Sequence, residues 1–539
     1  MIHRSLLTAL ILAAAWNVPG RAVGANPGNA AAALFVPSSR CIACHNQLKT
    51  TNGQDVSIGA DWRGSLMANA ARDPYWHAGV RRETMDHPAL SDAIQDECAK
   101  CHMPMTRTQA HAAGAKGQVF AHLPVGTQVT PQNLLAGDGV SCSACHQIAG
   151  GNLGQPESFS GNYLIDTDLP EPRPAYGPVA VSRGLATIMR SASSFNPVQA
   201  SHLKEAAFCA TCHTLFTHSV GSDGQVLGEL PEQVPYLEWL AGSYAPEMSC
   251  QSCHMPEAEG EAPFSSVLAA PRGAFSRHVF RGGNILMPQI LAANRAELGV
   301  AATDAELTRT AERTAEHLAT NAAELHVDMR GVGERLLVTV TVTNLAGHKL
   351  PTAYPSRRAW IHLALTDAGG NVVFESGRLE TSGAIVGNDN DEDPGKYEPH
   401  YNSITRADQV QIYEPILGDD KGAVTTGLLR AARYLKDNRI PPDGFDKTAV
   451  GPEVAVHGAA AGDEDFKGGS DRVVYDIPIP AQGGPLTVRA RLLYQPIAYR
   501  WAQNHLDYDA EENRRFVKYF DALSEKSAVV MAAAEVTSD

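Results

Sequence analysis

All ten cysteines of this 539-residue chain fall in one short motif, in which two cysteines stand three positions apart and a histidine follows the second. The five copies are CIACH at 41–45, CAKCH at 98–102, CSACH at 142–146, CATCH at 209–213 and CQSCH at 250–254. With this composition, chance would produce on the order of 0.006 such matches. The spacing therefore reflects a chemical requirement, and it argues against a framework of disulfides.

Two thiols at this spacing can add across the two vinyl groups of one haem, and the adjacent histidine then ligates the iron. Zinc would need the motifs to pair into four-ligand sites, but five is an odd number and the fixed histidine would have no role. Thioredoxin-like redox pairs would occur singly beside a βαβ pattern, which is absent. The sequence thus predicts five covalently attached c-type haems. Attachment is predicted at Cys41, Cys44, Cys98, Cys101, Cys142, Cys145, Cys209, Cys212, Cys250 and Cys253, with His45, His102, His146, His213 and His254 on the irons.

The sixth ligand of each iron decides what that haem can do. Seven further histidines lie between the first motif and residue 290, namely His77, His87, His111, His122, His202, His218 and His278. They outnumber the irons, so every haem could be bis-histidine, as in low-potential electron carriers. His122, His202 and His278 have the mixed apolar and polar surroundings that suit packing on a porphyrin. His111 and His218 lie too close after a motif to reach their own iron easily, and could reach a neighbouring one.

The set of motifs resembles the multihaem cytochromes c, and the first segment resembles the tetrahaem cytochrome that takes electrons from hydroxylamine oxidoreductase in ammonia oxidisers. In that family a Trp, a Ser and a distal His commonly follow the first motif. Residues 61–67 here (DWRGSLM) contain the Trp and the Ser, but Met67 stands where the family has the His. Three outcomes stay open: Met67 ligates and raises the potential, His77 replaces it, or one iron has no sixth ligand.

The motifs occupy residues 41–254, so porphyrins should form much of the core and the connecting chain can consist of loops and short helices. Helices are predicted over residues 91–101 and within 232–241. A further helix is predicted from residue 304, capped by Thr303, because apolar residues recur there at three- and four-residue steps.

From residue 326 the pattern changes to the alternation of apolar and polar residues that is typical of half-buried strands. Strands are predicted over 335–344, 359–366, 371–375, 472–478 and 485–495. The predicted fold class is α+β, with an N-terminal loop- and helix-rich multihaem domain and an antiparallel β-sandwich-like domain. The predicted boundaries are 1–25 for a signal peptide, 26–300 for the pentahaem domain, 301–325 for a connecting helix, and 326–539 for the β-domain with an insertion at about 385–470.

Two segments of the β-domain call for separate expectations. Residues 344–351 (NLAGHKLP) resemble a segment of β-domains appended to other multihaem cytochromes, which implies that His348 could ligate a haem across the domain boundary. The alternative is an ordinary loop histidine in a turn. The acidic run 388–393 (NDNDED) lacks the EF-hand pattern, so we expect a solvated loop there rather than a calcium site.

Residues 1–25 resemble a cleaved signal peptide, with a basic Arg4, an apolar run at 6–16 and small residues at 23 and 25. The apolar run is shorter than the roughly 20 residues that span a bilayer, and no later stretch is a candidate. The net charge of −15 argues against a nucleic-acid-binding protein. The sequence thus predicts a periplasmic or extracellular protein without an integral membrane segment, and oligomerisation stays open.

The predicted function is that of an exported pentahaem cytochrome, which transfers electrons between a donor and an acceptor protein through closely packed haems and has no catalytic residue. Two alternatives stay open. One is a multihaem oxidoreductase that acts on a small nitrogen or sulfur compound at an open haem, and the other is a subunit of an extracellular cytochrome filament. The surplus of histidines over irons favours the carrier over the enzyme.

Overall fold

The structure is a computed structural model that describes residues 33–221, 223–479 and 484–538, so the predicted signal peptide lies outside the described residues. The fold is α+β, as predicted, with most helices before residue 322 and most strands after it. The longer helices span Pro74–Asp86, Ser91–His102, Pro104–Ala112, Arg183–Ser193, Ala206–His213, Leu286–Ala293, Asp304–Asn321 and Glu511–Ala522. Shorter helices span Ser39–Ile42, Ile58–Arg63, Pro131–Gly137, Cys142–Cys145, Pro235–Leu240, Cys250–His254, Asp389–Glu392 and Tyr499–Gln503.

The predicted helices are present and begin close to the expected residues. Ser91–His102 matches the expectation for 91–101, and Pro235–Leu240 lies within 232–241. Asp304–Asn321 begins with a capping box, because Thr303 accepts the backbone N–H of Glu306 while the Glu306 carboxylate accepts the N–H of Thr303. This reciprocal bonding satisfies two helix N–H groups that would otherwise lack partners.

Two small sheets in the N-terminal half were not predicted. Strands Arg173–Gly177 and Phe195–Gln199 pair in parallel, with the helix Arg183–Ser193 between them. Strands Leu215–Val220 and Val226–Gln233 form an antiparallel hairpin directly after the fourth motif. Neither pair shows regular alternation, since several side chains of these strands face the interior cavity described below rather than a protein core.

The C-terminal half contains two packed sheets, which agrees with the predicted sandwich. The first sheet has the order Ala323–Val332, Arg335–Asn344, Ser470–Pro478 and Ser403–Ile404, and only its last pair is parallel. The second has the order Ile412–Tyr413, Arg358–Thr366, Thr487–Gln495 and Val529–Thr537, with Val372–Ser376 also paired to Arg358–Thr366. Every second residue of Arg335–Asn344 is buried, as the alternation predicted. These side chains pack against the second sheet in one core.

The insertion is folded rather than a plain loop. It contains a third sheet of Val424–Thr425, Pro415–Gly418 and Arg433–Asp437. The acidic run forms the short helix Asp389–Glu392, and the Asp391 carboxylate is buried and lies 2.9 Å from the Arg358 guanidinium. The expectation of a solvated loop is therefore wrong for Asp391, because a buried carboxylate needs a cationic partner and Arg358 supplies it.

The two halves share a second hydrophobic core. Phe516 and Phe520 of the helix Glu511–Ala522 pack with Ala78 of Pro74–Asp86 and with Leu291 of Leu286–Ala293. The boundary near residue 300 remains a prediction, but the halves around it are joined by buried apolar surface. No helix in the described ranges has the length and apolar character needed to cross a membrane.

Candidate functional site

A cavity of about 1800 Å³ runs through the N-terminal half and reaches the β-domain. It is lined by the histidines of all five motifs and by nine of the ten cysteines, all but Cys44. None of the ten cysteines forms a disulfide. The five motifs, which lie up to 213 positions apart in sequence (41 to 254), therefore face one common interior space.

Helical geometry explains how each motif presents its residues. Four motifs lie wholly or largely on the helices Ser91–His102, Cys142–Cys145, Ala206–His213 and Cys250–His254, and the first begins within Ser39–Ile42. On a helix, residues three and four positions apart lie on the same face. In the second to fifth motifs the two thiols and the histidine consequently point to the same side, as attachment of one planar cofactor requires; in the first motif, Cys41 and His45 line the cavity.

Four of the five motif histidines have their ring orientation fixed by a backbone carbonyl. The Nδ1 atoms of His45, His102, His146 and His254 lie 2.6, 3.0, 2.6 and 2.5 Å from the carbonyl oxygens of Phe264, Ala70, Tyr176 and Arg281. Within the described residues, His213 makes no such bond. Burial lowers the pKa of all five imidazoles, to about 4 for His102 and His254. Each ring is therefore neutral, and where Nδ1–H donates to a carbonyl, Nε2 keeps the lone pair that a metal ion needs.

Thiols of different motifs meet at three places, and in a matured cytochrome these sulfurs would be thioethers. Side-chain hydrogen bonds join Cys41 with Cys142, Cys101 with Cys212, and Cys209 with Cys250. Burial raises the pKa of Cys145, and the nearby Cys212 raises it further, so the third and fourth motifs are also neighbours. The fourth motif thus adjoins the second, third and fifth, while the first adjoins the third.

Two histidines outside the motifs face a motif histidine at a distance that suits a shared iron. The ring centres of His278 and His146 are 6.5 Å apart with an interplanar angle of 19°. Those of His348 and His254 are 6.3 Å apart with an angle of 18°. Two imidazoles bound to opposite sides of one metal ion, with metal–nitrogen bonds of about 2.0 to 2.1 Å, have ring centres about 6.3 Å apart. Both pairs fit bis-histidine coordination.

The loop that carries His348 is held from both halves of the molecule. The Nδ1 of His348 lies 3.0 Å from the Lys349 carbonyl oxygen, which leaves Nε2 for a metal ion. The Lys349 ammonium lies 2.7 Å from a carboxylate oxygen of Asp437 in the β-domain. The Lys349 backbone N–H donates to Glu238 of the helix Pro235–Leu240 in the N-terminal half. These buried contacts position the His348 ring toward the fifth motif.

The other predicted ligands divide into two groups. His218 and Met67 line the cavity. The second group, which consists of His77, His111, His122 and His202, does not line the cavity. A ring nitrogen of each lies close to a protein oxygen: 2.9 Å from the Ala71 carbonyl for His77, 2.7 Å from Asp96 for His111, 2.5 Å from Asn133 for His122, and 2.8 Å from the Ile148 carbonyl for His202. In each of these four rings, one nitrogen is already engaged by the protein.

Sequence reasoning missed His317, which lines the cavity with its ring centre 6.4 Å from that of His254. A sequence signal was available, because His317 recurs with Thr310, Thr314 and Asn321 at three- and four-residue steps, which places them on one helix face. The structure shows that this face lines the cavity. Within the described residues, four histidines outside the motifs line the cavity, and two of them adjoin His254. The cavity therefore contains fewer histidines outside the motifs than the five predicted irons, although the sequence contains more.

Outside the cavity, His400, Asp463 and Asp471 place possible metal ligands within 4.8 Å of one another. Gln411 and Asn438 each direct a side-chain N–H toward Nδ1 of His400, at 2.8 and 3.1 Å. Their amide oxygens each accept a backbone N–H, which fixes this orientation. Nδ1 of His400 is therefore an acceptor, and Nε2 donates its proton to Asp463 at 3.0 Å. An imidazole that binds a metal ion through Nε2 normally carries its proton on Nδ1 and donates it. Here the proton is on Nε2, so these residues form a hydrogen-bonded structural cluster.

The structure thus gathers the residues of five C-x-x-C-H motifs around one interior cavity. Among solved structures, the chain is similar to a penta-heme cytochrome c552 from Thermochromatium tepidum, with a TM-score of 0.51, 16% identity, and coverage of 94% of this chain and 99% of that chain. No protein-family model and no curated protein matches the chain. The likeness concerns the fold, supports the resemblance to multihaem cytochromes c, and gives no support to the narrower resemblance to the tetrahaem cytochrome.

Proposed function

We propose that the protein is an exported pentahaem cytochrome c that carries electrons between redox proteins. The observation that carries this proposal is the common cavity, in which thiols of different motifs meet. Each thiol would become a thioether at the edge of its own haem, so neighbouring haem edges would lie close together. Bound haem supplies reversible one-electron exchange at its iron.

The chain's own residues have distinct roles in this proposal. The ten motif cysteines would hold five haems, and Nε2 of each motif histidine would bind the iron of its haem. His278 would be a second histidine ligand at the third motif, and His348 would be one at the fifth motif from across the predicted domain boundary. Met67 and His218 are the candidates for the remaining irons, since they line the cavity.

The adjacency of the motifs gives the electrons a branched route. The fourth motif adjoins the second, third and fifth, and the first is reached through the third. Electrons that pass between any two of the first, second and fifth haems would all cross the fourth. Residues 1–25 direct export to the periplasm or beyond, where a donor and an acceptor protein would dock near different branches.

The proposal is tested on matured protein. A pyridine haemochrome assay should return five haems per chain, with no free thiol, because all ten cysteines are consumed. Protein-film voltammetry should show reversible oxidation and reduction of all five haems. Four or fewer haems in fully matured protein, or haems that exchange no electrons with an electrode or a redox protein, would contradict it.

A second candidate function is catalysis at the iron of the fourth motif. Among the described residues, no other imidazole lies in ring contact with His213. Arg357 lines the cavity, and its charge adds to burial in lowering the pKa of His213. Within the described ranges, no carboxylate pairs with Arg357, which donates to the Thr352 carbonyl at 3.0 Å. A cationic side chain beside an iron without a sixth histidine would suit a small anionic substrate.

Low-temperature electron paramagnetic resonance separates this candidate from a pure carrier. An open iron should give a high-spin signal of one haem per molecule that shifts when nitrite is added. Arg357→Gln should weaken nitrite binding and leave the high-spin signal in place. If all five haems are low-spin, the catalytic candidate fails. If Arg357→Gln binds nitrite as wild type does, the arginine serves another partner, such as a haem propionate.

A further inference from the structure

Two buried carboxylates in the cavity wall have no part in haem attachment. Glu83 lies on the helix Pro74–Asp86, and Glu232 lies on the strand Val226–Gln233. Their exposed fractions are 6% and 3%. Within the described residues, neither forms a salt bridge within 4.0 Å, although buried carboxylates ordinarily require a cationic partner. Their presence in the cavity wall therefore calls for another explanation.

The two carboxyl groups differ in how well the protein stabilises their charge. Glu83 accepts the backbone N–H groups of Leu428 and Leu429 at 2.8 and 3.3 Å, and the adjacent Arg82 also favours its ionised form. Glu232 accepts one hydrogen bond, from the Thr217 hydroxyl at 2.5 Å. Burial raises the pKa of Glu232 to about 7, and the negative charge of Glu83 contributes. Glu232 is thus the group of the pair that changes protonation near neutral pH.

The pair lies beside the second motif. Glu83, Glu232 and Cys98 line the same cavity, and the charges of both carboxylates add to burial in raising the pKa of the Cys98 thiol. Other titratable or charged groups that interact with one or both carboxylates are Arg82 and Asp86, beside Glu83, and Tyr354 and Tyr434. The tyrosines are neutral at pH 7 and Arg82 stabilises the charge of Glu83, which leaves Glu232 without a compensating cation.

We propose that Glu232 is a proton-loading site: its carboxylate binds one proton from solvent when the haem held by Cys98 and Cys101 gains one electron from a redox partner. It releases that proton when the electron leaves. The added electron makes the site more negative, and a nearby negative charge favours the neutral carboxylic acid. Proton and electron thus stabilise each other by the same free energy. The inference rests on the proposed haem attachment.

The test is potentiometric titration of the haem-loaded protein between pH 5 and pH 9, with each haem followed spectroscopically. One haem should lose potential as the pH rises, by up to about 59 mV per pH unit for one proton per electron. Glu232→Gln should abolish this dependence. Glu83→Gln should move it to lower pH, because the charge that disfavours ionisation of Glu232 is gone. Glu97→Gln, which removes a more exposed carboxylate beside Cys98, should leave the slope unchanged.

Redox-induced infrared difference spectra of the wild-type protein give an independent readout that needs no variant. A protonated-carboxyl band should appear on reduction and shift in deuterated water. A pH slope that persists in Glu232→Gln would overturn the proposal, as would the absence of any pH slope or any carboxyl band in the wild type. Failure of the electron-carrier function would instead appear as missing haems or as irreversible voltammetry at every pH.

Discussion

His278 and His348 lie outside the five motifs, yet each faces the histidine of a motif at the distance of a shared iron. Their neutral rings suit this role, because burial lowers the pKa of both. Their positions also connect parts of the chain that are remote in sequence, since His348 belongs to the β-domain and His254 to the fifth motif. At the residue scale, these two proposed sixth ligands would therefore also be tertiary cross-links.

Removing either imidazole should open one iron. We expect His278→Ala and His348→Ala each to convert one low-spin haem into a high-spin haem, measured by low-temperature electron paramagnetic resonance and by a blue shift of part of the Soret band. His122→Ala is the matched control, because His122 does not line the cavity and should leave every haem unchanged. If His348→Ala leaves all haems low-spin, the neighbouring His317 or another side chain ligates instead.

Glu232 also makes the stability of the protein depend on pH. Burial raises the pKa of Glu232 in the folded state from 4.5 to about 7. Above that pH, folding therefore buries a charged carboxylate. Stability from this group is fully present below pH 4.5 and is lost as the pH rises through 7, by about 3 kcal/mol. Glu232→Gln should thus gain about this much over oxidised wild type near pH 8 and little near pH 4.5, in denaturant titrations. Glu229→Gln, an exposed carboxylate on the same strand, should show no such gain.

At the scale of elements, one carboxylate joins three segments around the first and fifth motifs. Asp61 of the helix Ile58–Arg63 is 5% exposed and accepts bonds from Arg277, at 2.7 and 2.9 Å, and from Arg313 of the helix Asp304–Asn321, at 2.9 Å. These contacts attach the long helix to the haem cavity it helps to line. Loss of Asp61 would leave two arginines without their shared partner.

Asp61→Asn should lower the free energy of unfolding by about 2 to 3 kcal/mol, since breaking a largely buried ion pair leaves uncompensated charge. The measurement is denaturant unfolding of the haem-loaded protein followed by circular dichroism. Asp476→Asn is the control, because the Arg335–Asp476 pair is exposed and such pairs contribute about 0 to 1 kcal/mol. Equal effects of the two substitutions would contradict a structural role for the Asp61 cluster.

At the scale of the whole molecule, the haems should determine the stability of the N-terminal half. A cavity of about 1800 Å³ has no equivalent in ordinary protein interiors, which contain few voids larger than a water molecule. Strand side chains of the two sheets form most of the core between them, which also includes Leu318 and Leu350 from the cavity wall. The helix Glu511–Ala522, in contrast, packs on the helix Pro74–Asp86 of the N-terminal half.

Protein made without haem attachment should therefore lose structure unevenly. Hydrogen exchange followed by mass spectrometry should show fast exchange through residues 33–300 and in the helix Glu511–Ala522. The strands of the two sheets should keep slow exchange, because most of their core side chains come from the β-domain itself. Uniformly fast exchange would show that the sandwich also requires haem, whereas uniform protection would show that the cavity is stable when empty.

The sequence determined the chemistry and most of the regular elements. Fixed spacing within each motif specifies two thiols and one histidine on one helix face, so no knowledge of the fold is needed to assign them. The alternation in Arg335–Asn344 and the capping residues at Thr303 predicted their elements for the same reason, because these signals are local. The hairpin Leu215–Gln233 was missed, since side chains that face a cofactor cavity need not follow the alternation of a protein core.

Only the tertiary structure decided which remote residues meet. His122 and His202 have suitable local surroundings but lie outside the cavity, whereas His348 reaches the fifth motif from almost a hundred positions away (254 to 348). The branching of the motifs at the fourth, and the placement of Glu83 and Glu232 in one cavity wall, likewise depend on contacts between segments distant in sequence. A motif fixes ligands through a few backbone bonds, but the opposite side of each iron is filled by whichever chain the packing of the whole molecule brings there.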